Sequence, residues 1–241
     1  MKKLRFLAIM AGVLLVFSSC LDDDGYSLGD MWMSYVTVNP LDEKTQSYDF
    51  TTDGGSKLWI SASSVYYKPK ENQRAQIFYT ILGDADKNSD YDYYIKLNII
   101  QEYLTKNIAE NLNDDNDSIY GADPVKMNKI WIGDNYLNMH FTTYYGGTKK
   151  HYINLIQTDE NQPYILEFRH NAYDDPAAVA MDGLVAFNLD ALPDTGGEEV
   201  ELEIHTKTYE GDKVYKVKYN SSVKESAEYS STEAIPMPDI E

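Results

Sequence analysis

The chain reads as an all-β protein of two modules in tandem, a small barrel and then an antiparallel sandwich. Three observations predict this. Short segments rich in β-branched and aromatic residues recur along the chain, separated by turn-forming clusters. Tyrosine is abundant, at 21 of 241 residues, and its ring packs on a pleated face while its hydroxyl reaches water. A polar, acidic run, Asn111 to Asp123 (NLNDDNDSIYGAD), followed by Pro124, splits the strand-like segments into two groups. That run holds too little apolar surface to bury a core and reads as a linker.

In the first group, Met31 to Val38 (MWMSYVTV) is the opening strand, stopped by Asn39-Pro40. Lys57 to Ala62 and Val65 to Tyr67 follow, entered through the Asp53-Gly54-Gly55 turn. Arg74 to Leu82 and Tyr91 to Ile100 are longer, with the polar run Gly83 to Asp90 as a hairpin loop between them. Residues 101–109 fit a short helix or a last strand. About five strands over residues 31–115 suit a small closed or partly open barrel.

The second group covers residues 121–222. Met127 to Ile132 leads through Gly133-Asp134-Asn135 into Tyr136 to Tyr145, and Gly146-Gly147 turns the chain into His151 to Gln157. Tyr164 to Arg169, Gly183 to Leu189, Glu199 to Thr208 and Lys213 to Tyr219 complete the set. Alternation is plain in Val200-Glu201-Leu202-Glu203-Ile204-His205, which sends Val200, Leu202 and Ile204 to a core. Strands of this number and length are what an antiparallel sandwich needs. Residues 223–241, rich in Ser, Glu and Pro, are expected to be a disordered tail.

The amino terminus specifies an address. Lys2, Lys3 and Arg5 precede an uncharged run, Phe6 to Phe17, which is shorter than the roughly 20 residues a spanning helix needs. Ser18-Ser19-Cys20 then supplies small residues before a cysteine, so residues 1–19 read as a lipoprotein signal peptide and Cys20 as the lipidated residue. Cys20 is the one cysteine in the chain, which leaves it no disulfide partner there. Residues 20–30 form an acidic tether in which Asp22, Asp23 and Asp24 resemble the surface-export signal of some Gram-negative lipoproteins. The expected location is the outer membrane, lipid-anchored, with the body exposed at the surface or facing the periplasm.

The formal net charge is −18, with 39 acidic against 21 basic residues. Such a surface repels phosphate backbones, so nucleic acid is not an expected partner. A basic protein partner, or a glycan stacked on exposed rings, fits better.

Several phrases resemble the NigD-like lipoproteins. They are residues 20–38 (CLDDDGYSLGDMWMSYVTV), 91–98 (YDYYIKLN), 123–141 (DPVKMNKIWIGDNYLNMHF), 151–155 (HYINL) and 168–171 (FRHN). The resemblance implies an amino-terminal OB-type barrel and a carboxy-terminal β-sandwich, here taken as Greek-key. It also implies an association with bacteriocin immunity, and it carries no catalytic residues. A glycan-binding accessory role is the alternative.

Candidate sites are few. Asp84, Asp86, Asn88 and Asp90 alternate oxygen ligands as a calcium loop would, but an EF-hand counted from Asp84 needs Gly and Glu where Ser89 and Ile95 stand. His140, His151, His170 and His205 lack a metal-binding spacing, although His140 and His151 flank the Gly146-Gly147 turn and so suit neighbouring strands. No G-x-S-x-G is present, and His170 with Asp174 and Asp175 is the residual acid–base set. Neither an enzyme nor a cofactor is expected. Trp32, Trp59 and Trp131, with the pairs Tyr66-Tyr67, Tyr93-Tyr94 and Tyr144-Tyr145, are candidate stacking rings, one of each pair turned inward by strand alternation.

Overall fold

The computed structural model describes residues 25–223 and 234–236. Cys20, Asp22, Asp23, Asp24 and the signal peptide lie outside the described residues. The first five strands are β1 (Asp30–Asp42), β2 (Ser47–Thr52), β3 (Lys57–Ser63), β4 (Gln73–Asp84) and β5 (Tyr93–Glu102). They run in the order β1-β2-β3-β5-β4, and β1 pairs back onto β4, closing an OB-like barrel. Closure satisfies the edges that an open sheet would leave bare. Strand β1 is long enough to serve two neighbours: Trp32–Val38 pair with β4, and Val36–Asp42 with β2. Alternate residues fill the barrel, among them Val36 and Val38, Ala75, Ile77, Tyr79 and Ile81, and Ile95 and Leu97.

The strand continues through Asn39-Pro40, where it was expected to stop. A register shift between Pro40 and Asp42 accommodates the missing N–H. Val65 to Tyr67 is not a strand; Tyr67 instead packs its ring on Tyr48, 5.2 Å away. Strand β2 carries no apolar run, with Phe50 as its core residue, and had no periodic signal to reveal it.

The second domain contains β6 (Leu104–Asn107), a 3-10 turn (Asn113–Asp115), α1 (Asn116–Tyr120), β7 (Lys126–Gly133), β8 (Tyr136–Tyr145) and β9 (Tyr152–Gln157). It continues with β10 (Ile165–Asn171), β11 (Val179–Asn188), β12 (Val200–Thr208) and β13 (Gly211–Tyr219). The two sheets, β13-β12-β10-β9 and β6-β11-β8-β7, form a β-sandwich. Leu137, Met139 and Phe141 face Leu155, Leu166, Phe168, Leu202 and Ile204 in its core. Most ladders are antiparallel, while β6–β11 and β10–β12 are parallel. Asp134 and Asn135, both at positive φ (47° and 63°), make the two-residue β7–β8 turn, a backbone form that matches strand twist.

Four expectations need correction. The barrel domain does not extend to residue 115, because β6 pairs with β11 and belongs to the sandwich. The acidic run is not a bare linker: Asn116 and Tyr120 are buried, and local bonds such as Tyr120 Oη to the Glu110 carbonyl (2.9 Å) satisfy its polar groups. In the tail, β14 (Ala234–Pro236) adds a strand to β1 at Asp30–Trp32, so that part is ordered by backbone pairing; residues 224–233 and 237–241 lie outside the described residues. Gly146-Gly147 also does not form a hairpin. It carries the chain from β8 in one sheet to β9 in the other.

Candidate functional site

A buried polar joint links the domains. Arg74 opens β4 and is fully buried, so its charge must be met by fixed partners. Its guanidinium pairs with Asp53 and donates to Thr37 Oγ1 at 2.9 Å and to Tyr103 Oη at 3.1 Å. The Tyr136 ring lies 5.2 Å from the guanidinium carbon, within cation–π range. Asp53 uses its other oxygen to accept the Trp131 indole N–H at 2.6 Å, and Tyr103 Oη donates to Asn138 Oδ1 at 3.0 Å. Burial disfavours the Arg74 charge, yet Tyr103 and Asp53 outweigh it and its pKa is pushed up; burial likewise pushes up Tyr103. At Gly133 a Cβ would overlap the Asp53 carboxylate, so this position must be bare for β7 to approach. The barrel thus supplies Thr37, Asp53 and Arg74, the crossing supplies Tyr103, and the sandwich supplies Trp131, Tyr136 and Asn138.

A second cluster clasps one end of the sandwich. Asp175, on the loop after β10, accepts four backbone N–H groups: Gly146 at 2.5 Å, Gly147 at 3.1 Å, and Thr148 and Lys149 at 3.0 Å each. The Thr148 hydroxyl also donates to it. Burial opposes the charge, but the Thr148 hydroxyl and these amides prevail and hold the carboxyl well below its usual range. His151 Nε2 lies 3.4 Å from the same carboxylate, and His170 Nε2 lies 2.9 Å from His151 Nδ1. His170 is buried at 2% exposure, and burial, then His151, lowers its pKa.

This sets a pH dependence. A histidine kept neutral by the fold takes its proton more readily when unfolded, so its stabilising contribution is full above its ordinary value of 6.5. It is lost as pH falls from there through the lowered folded value. We expect the melting temperature to decline from about pH 7 to about pH 5, before most carboxylates titrate. A His170→Gln variant should flatten that slope; an unchanged slope would place the effect elsewhere.

The clasped end carries exposed rings and apolar side chains. Tyr144 and Tyr209 meet edge to face at 5.5 Å and are about half exposed, with Val179, Met181 and Tyr173 also open to solvent. The other candidate residues are dispersed. Trp131 is buried in the inter-domain joint, and the half-buried Trp59 and Tyr91 of the barrel lie 5.1 Å apart with their rings tilted at 54°. His140 and His205 sit at the surface, 3.6 Å from Asp182 and Glu203 respectively. The His140 and His151 strands lie in different sheets, contrary to the expectation of neighbours. Arg169 bonds Asp117, Glu167 and the Gly121 carbonyl at a strand end.

Of the acid–base set, Asp175 and His170 are joined through His151. Asp84 accepts from Tyr26 Oη at 2.9 Å, and among the described residues no group of three or more His, Cys, Asp or Glu is placed to hold a metal. Asp53 and Arg74 escaped the sequence reading, which treated Asp53 as a turn residue; the usable signal was an arginine near the start of a strand rich in apolar residues.

The two domains match two family models. Residues 35–102 match the NigD-like N-terminal OB domain, and residues 107–219 match the NigD-like C-terminal β-sandwich domain. A crystal structure of a protein from Parabacteroides distasonis, described as toxin related, is 51% identical with a TM-score of 0.74, covering 80% of this chain and 94% of that one.

The chain belongs to the NigD-like family.

A protein of unknown function from Bacteroides vulgatus shares the fold at 23% identity and TM-score 0.68, over 81% of this chain and 93% of that one. A NigD-like immunity protein from Bacteroides caccae shares it at 17% identity and TM-score 0.59, over 78% and 97%. Comparison with curated proteins gives no match. In this NigD-like chain the two matched segments leave Tyr103 between them, so the residue that bridges Arg74 and Asn138 falls at the seam. The phrase at residues 131–138 is the sandwich's share of the joint. Trp131 and Gly133 meet Asp53, Tyr136 and Asn138 meet Arg74, and Asp134-Asn135 make the turn between them.

Proposed function

We propose that this NigD-like protein is lipid-anchored through Cys20 in the bacterial envelope and works by binding a basic protein, in the manner of an immunity factor, rather than by catalysis. The observation that carries this reading is the half-exposed Tyr144–Tyr209 pair, with Val179 and Met181, on an end made rigid by the Asp175 clasp. Tyrosine and methionine are enriched at protein interfaces, and a preorganised surface loses little entropy on binding. The net charge of −18 would steer a cationic partner by long-range attraction. The B. caccae protein is called an immunity protein and a Bacteroides fragilis protein of the same fold a lipoprotein, which agrees with this setting. Among the described residues no helix is long and apolar enough to cross a membrane.

Cys20→Ser should move the protein from the membrane to the soluble fraction, and mass spectrometry of the native protein should find the leader removed and residue 20 acylated. A bare thiol there would end the anchoring proposal. Asp22, Asp23 and Asp24 direct surface export in this reading, so alanine at all three should protect the body from protease added to intact cells. For the partner, association with a cationic protein encoded beside the gene should slow at least tenfold between about 50 and 500 mM salt; an on-rate indifferent to salt would count against it. The second reading, glycan binding, is favoured by the half-buried Trp59–Tyr91 pair on the barrel. It predicts quenching of tryptophan fluorescence by soluble polysaccharides, and silence across a glycan array would remove it.

A further inference from the structure

We infer that the open half of β11, from Val179 to Leu184, is a docking edge where an extended basic segment of a partner protein adds as a further strand. Strand β11 pairs with β8 along its whole length, from Val179 opposite Tyr145 to Asn188 opposite Tyr136. On its other side, β6 covers only Val185–Asn188. Among the described residues no strand lies along the remaining edge, so a row of backbone donors and acceptors faces outward there.

The side chains change character at the same point. Val179, Met181, Gly183, Val185 and Phe187 share one face by strand alternation. Val185 and Phe187 are fully buried, whereas Val179 and Met181 are 62% and 48% exposed. An apolar strand end held out of its own core gains burial only when something covers it.

Three other edges are guarded. Strand β13 carries Lys213, Lys216 and Lys218, tied to Glu210, to Glu201 and Glu203, and to Glu199. Beside β9 runs residue Ala109, bridged to Ile156, and Lys106 donates to the Ile153 carbonyl at 2.7 Å. The β1 end is covered by β14. Residues 179–184 contain no Lys, Arg or Pro, and their ladder to β8 has no register shift. Apart from the single carboxylate of Asp182, they lack the devices that blunt an edge. Strand β6 already joins this edge by backbone pairing, so a partner segment would continue an existing row.

Charge selects the occupant. Asp182 lies mid-segment on the face opposite Val179 and Met181, with its side chain 65% exposed. Two copies pairing antiparallel about Asp182 would set its two carboxylates directly opposite each other, on chains of net charge −18 each. A strand with apolar residues on one face and Lys or Arg on the other meets both faces of β11. This rests on the basic-partner reading above and specifies where and how the partner sits.

The test uses full-length protein in detergent micelles and two synthetic peptides: acetyl-Lys-Val-Lys-Val-Lys-Val-Lys-amide, and the same peptide N-methylated at every backbone nitrogen. Both carry the same charge, but the second cannot pair along a strand. We expect the first to slow exchange at least tenfold at those amides of residues 179–184 that point away from β8, and to bind at least tenfold tighter than the second. Introducing edge lysines by Val179→Lys with Met181→Lys, both at exposed positions, should abolish the difference between the peptides. Equal binding of the two peptides would overturn strand addition while leaving charge attraction standing. Failure of both peptides, with salt-dependent binding of the cationic protein intact, would likewise overturn the edge and spare the broader proposal. Protection of those outward-pointing amides in peptide-free protein of doubled mass would assign the edge to a second copy and overturn it.

Discussion

Replacing Asp53 with alanine is expected to lower the unfolding free energy by about 3–5 kcal/mol, because it strands a fully buried guanidinium. The Arg74 charge would keep Thr37 and Tyr103 but lose its counter-ion, and the Trp131 indole N–H would lose its acceptor. Each uncompensated group then carries its desolvation cost without return. By contrast, the exposed pair Lys70–Glu102, at 2.6 Å with side chains 62% and 30% accessible, should cost under about 1 kcal/mol when removed. Urea unfolding followed by tryptophan fluorescence measures both. Because a buried pair is often no better than an apolar match, Asp53→Leu combined with Arg74→Met should recover most of the loss. A double variant no more stable than Asp53→Ala would show that the ion pair is not the cause.

Gly121→Ala is expected to be comparably severe, at about 3 kcal/mol or more. Gly121 ends α1 at φ 76° and ψ 173°, a region that side chains avoid. A Cβ there would also lie 2.5 Å from the His170 carbonyl oxygen and 2.6 Å from Asn171 Cα, both on the backbone of β10 and unable to rotate away. Gly197 is the internal control. It too has positive φ, 84°, but nothing lies within 4 Å of its missing Cβ, so Gly197→Ala should cost only about 1 kcal/mol. Thermal melts of the two variants separate crowding from backbone preference, and equal shifts would refute the crowding argument. Since Gly121 supports the strand that holds His170, loss there should also disturb the Asp175 clasp.

Legibility followed distance along the chain. The strands of the barrel and sandwich could be read where alternation was strong, as in Val200 to Ile204, and where a turn had its own chemistry, as at Asp134-Asn135. Strand β2 was hidden because Asp49 and Thr52 are buried polar residues, so its pattern is not apolar. Residues 101–109 could not be assigned, because β6 takes its partner, β11, from some eighty positions later. For the candidate site, Asp175, His151 and His170 were visible as residue types but not as a cluster, and Asp53 read as a turn. The acidic run looked like a linker since its polar groups are satisfied by local bonds that composition does not reveal.

What the sequence by itself determined is the all-β class, the division into two domains, the family and the acidic surface. These depend on residue type and on spacings of two to four residues, which act wherever the chain goes. Tertiary structure alone decided the Arg74–Asp53–Trp131 joint, the Asp175 clasp and the half-open β11 edge. Asp53 and Trp131 stand 78 positions apart, and their contact exists only because closing the barrel and packing the sandwich bring two separate strand ends within hydrogen-bond reach in a space that excludes water.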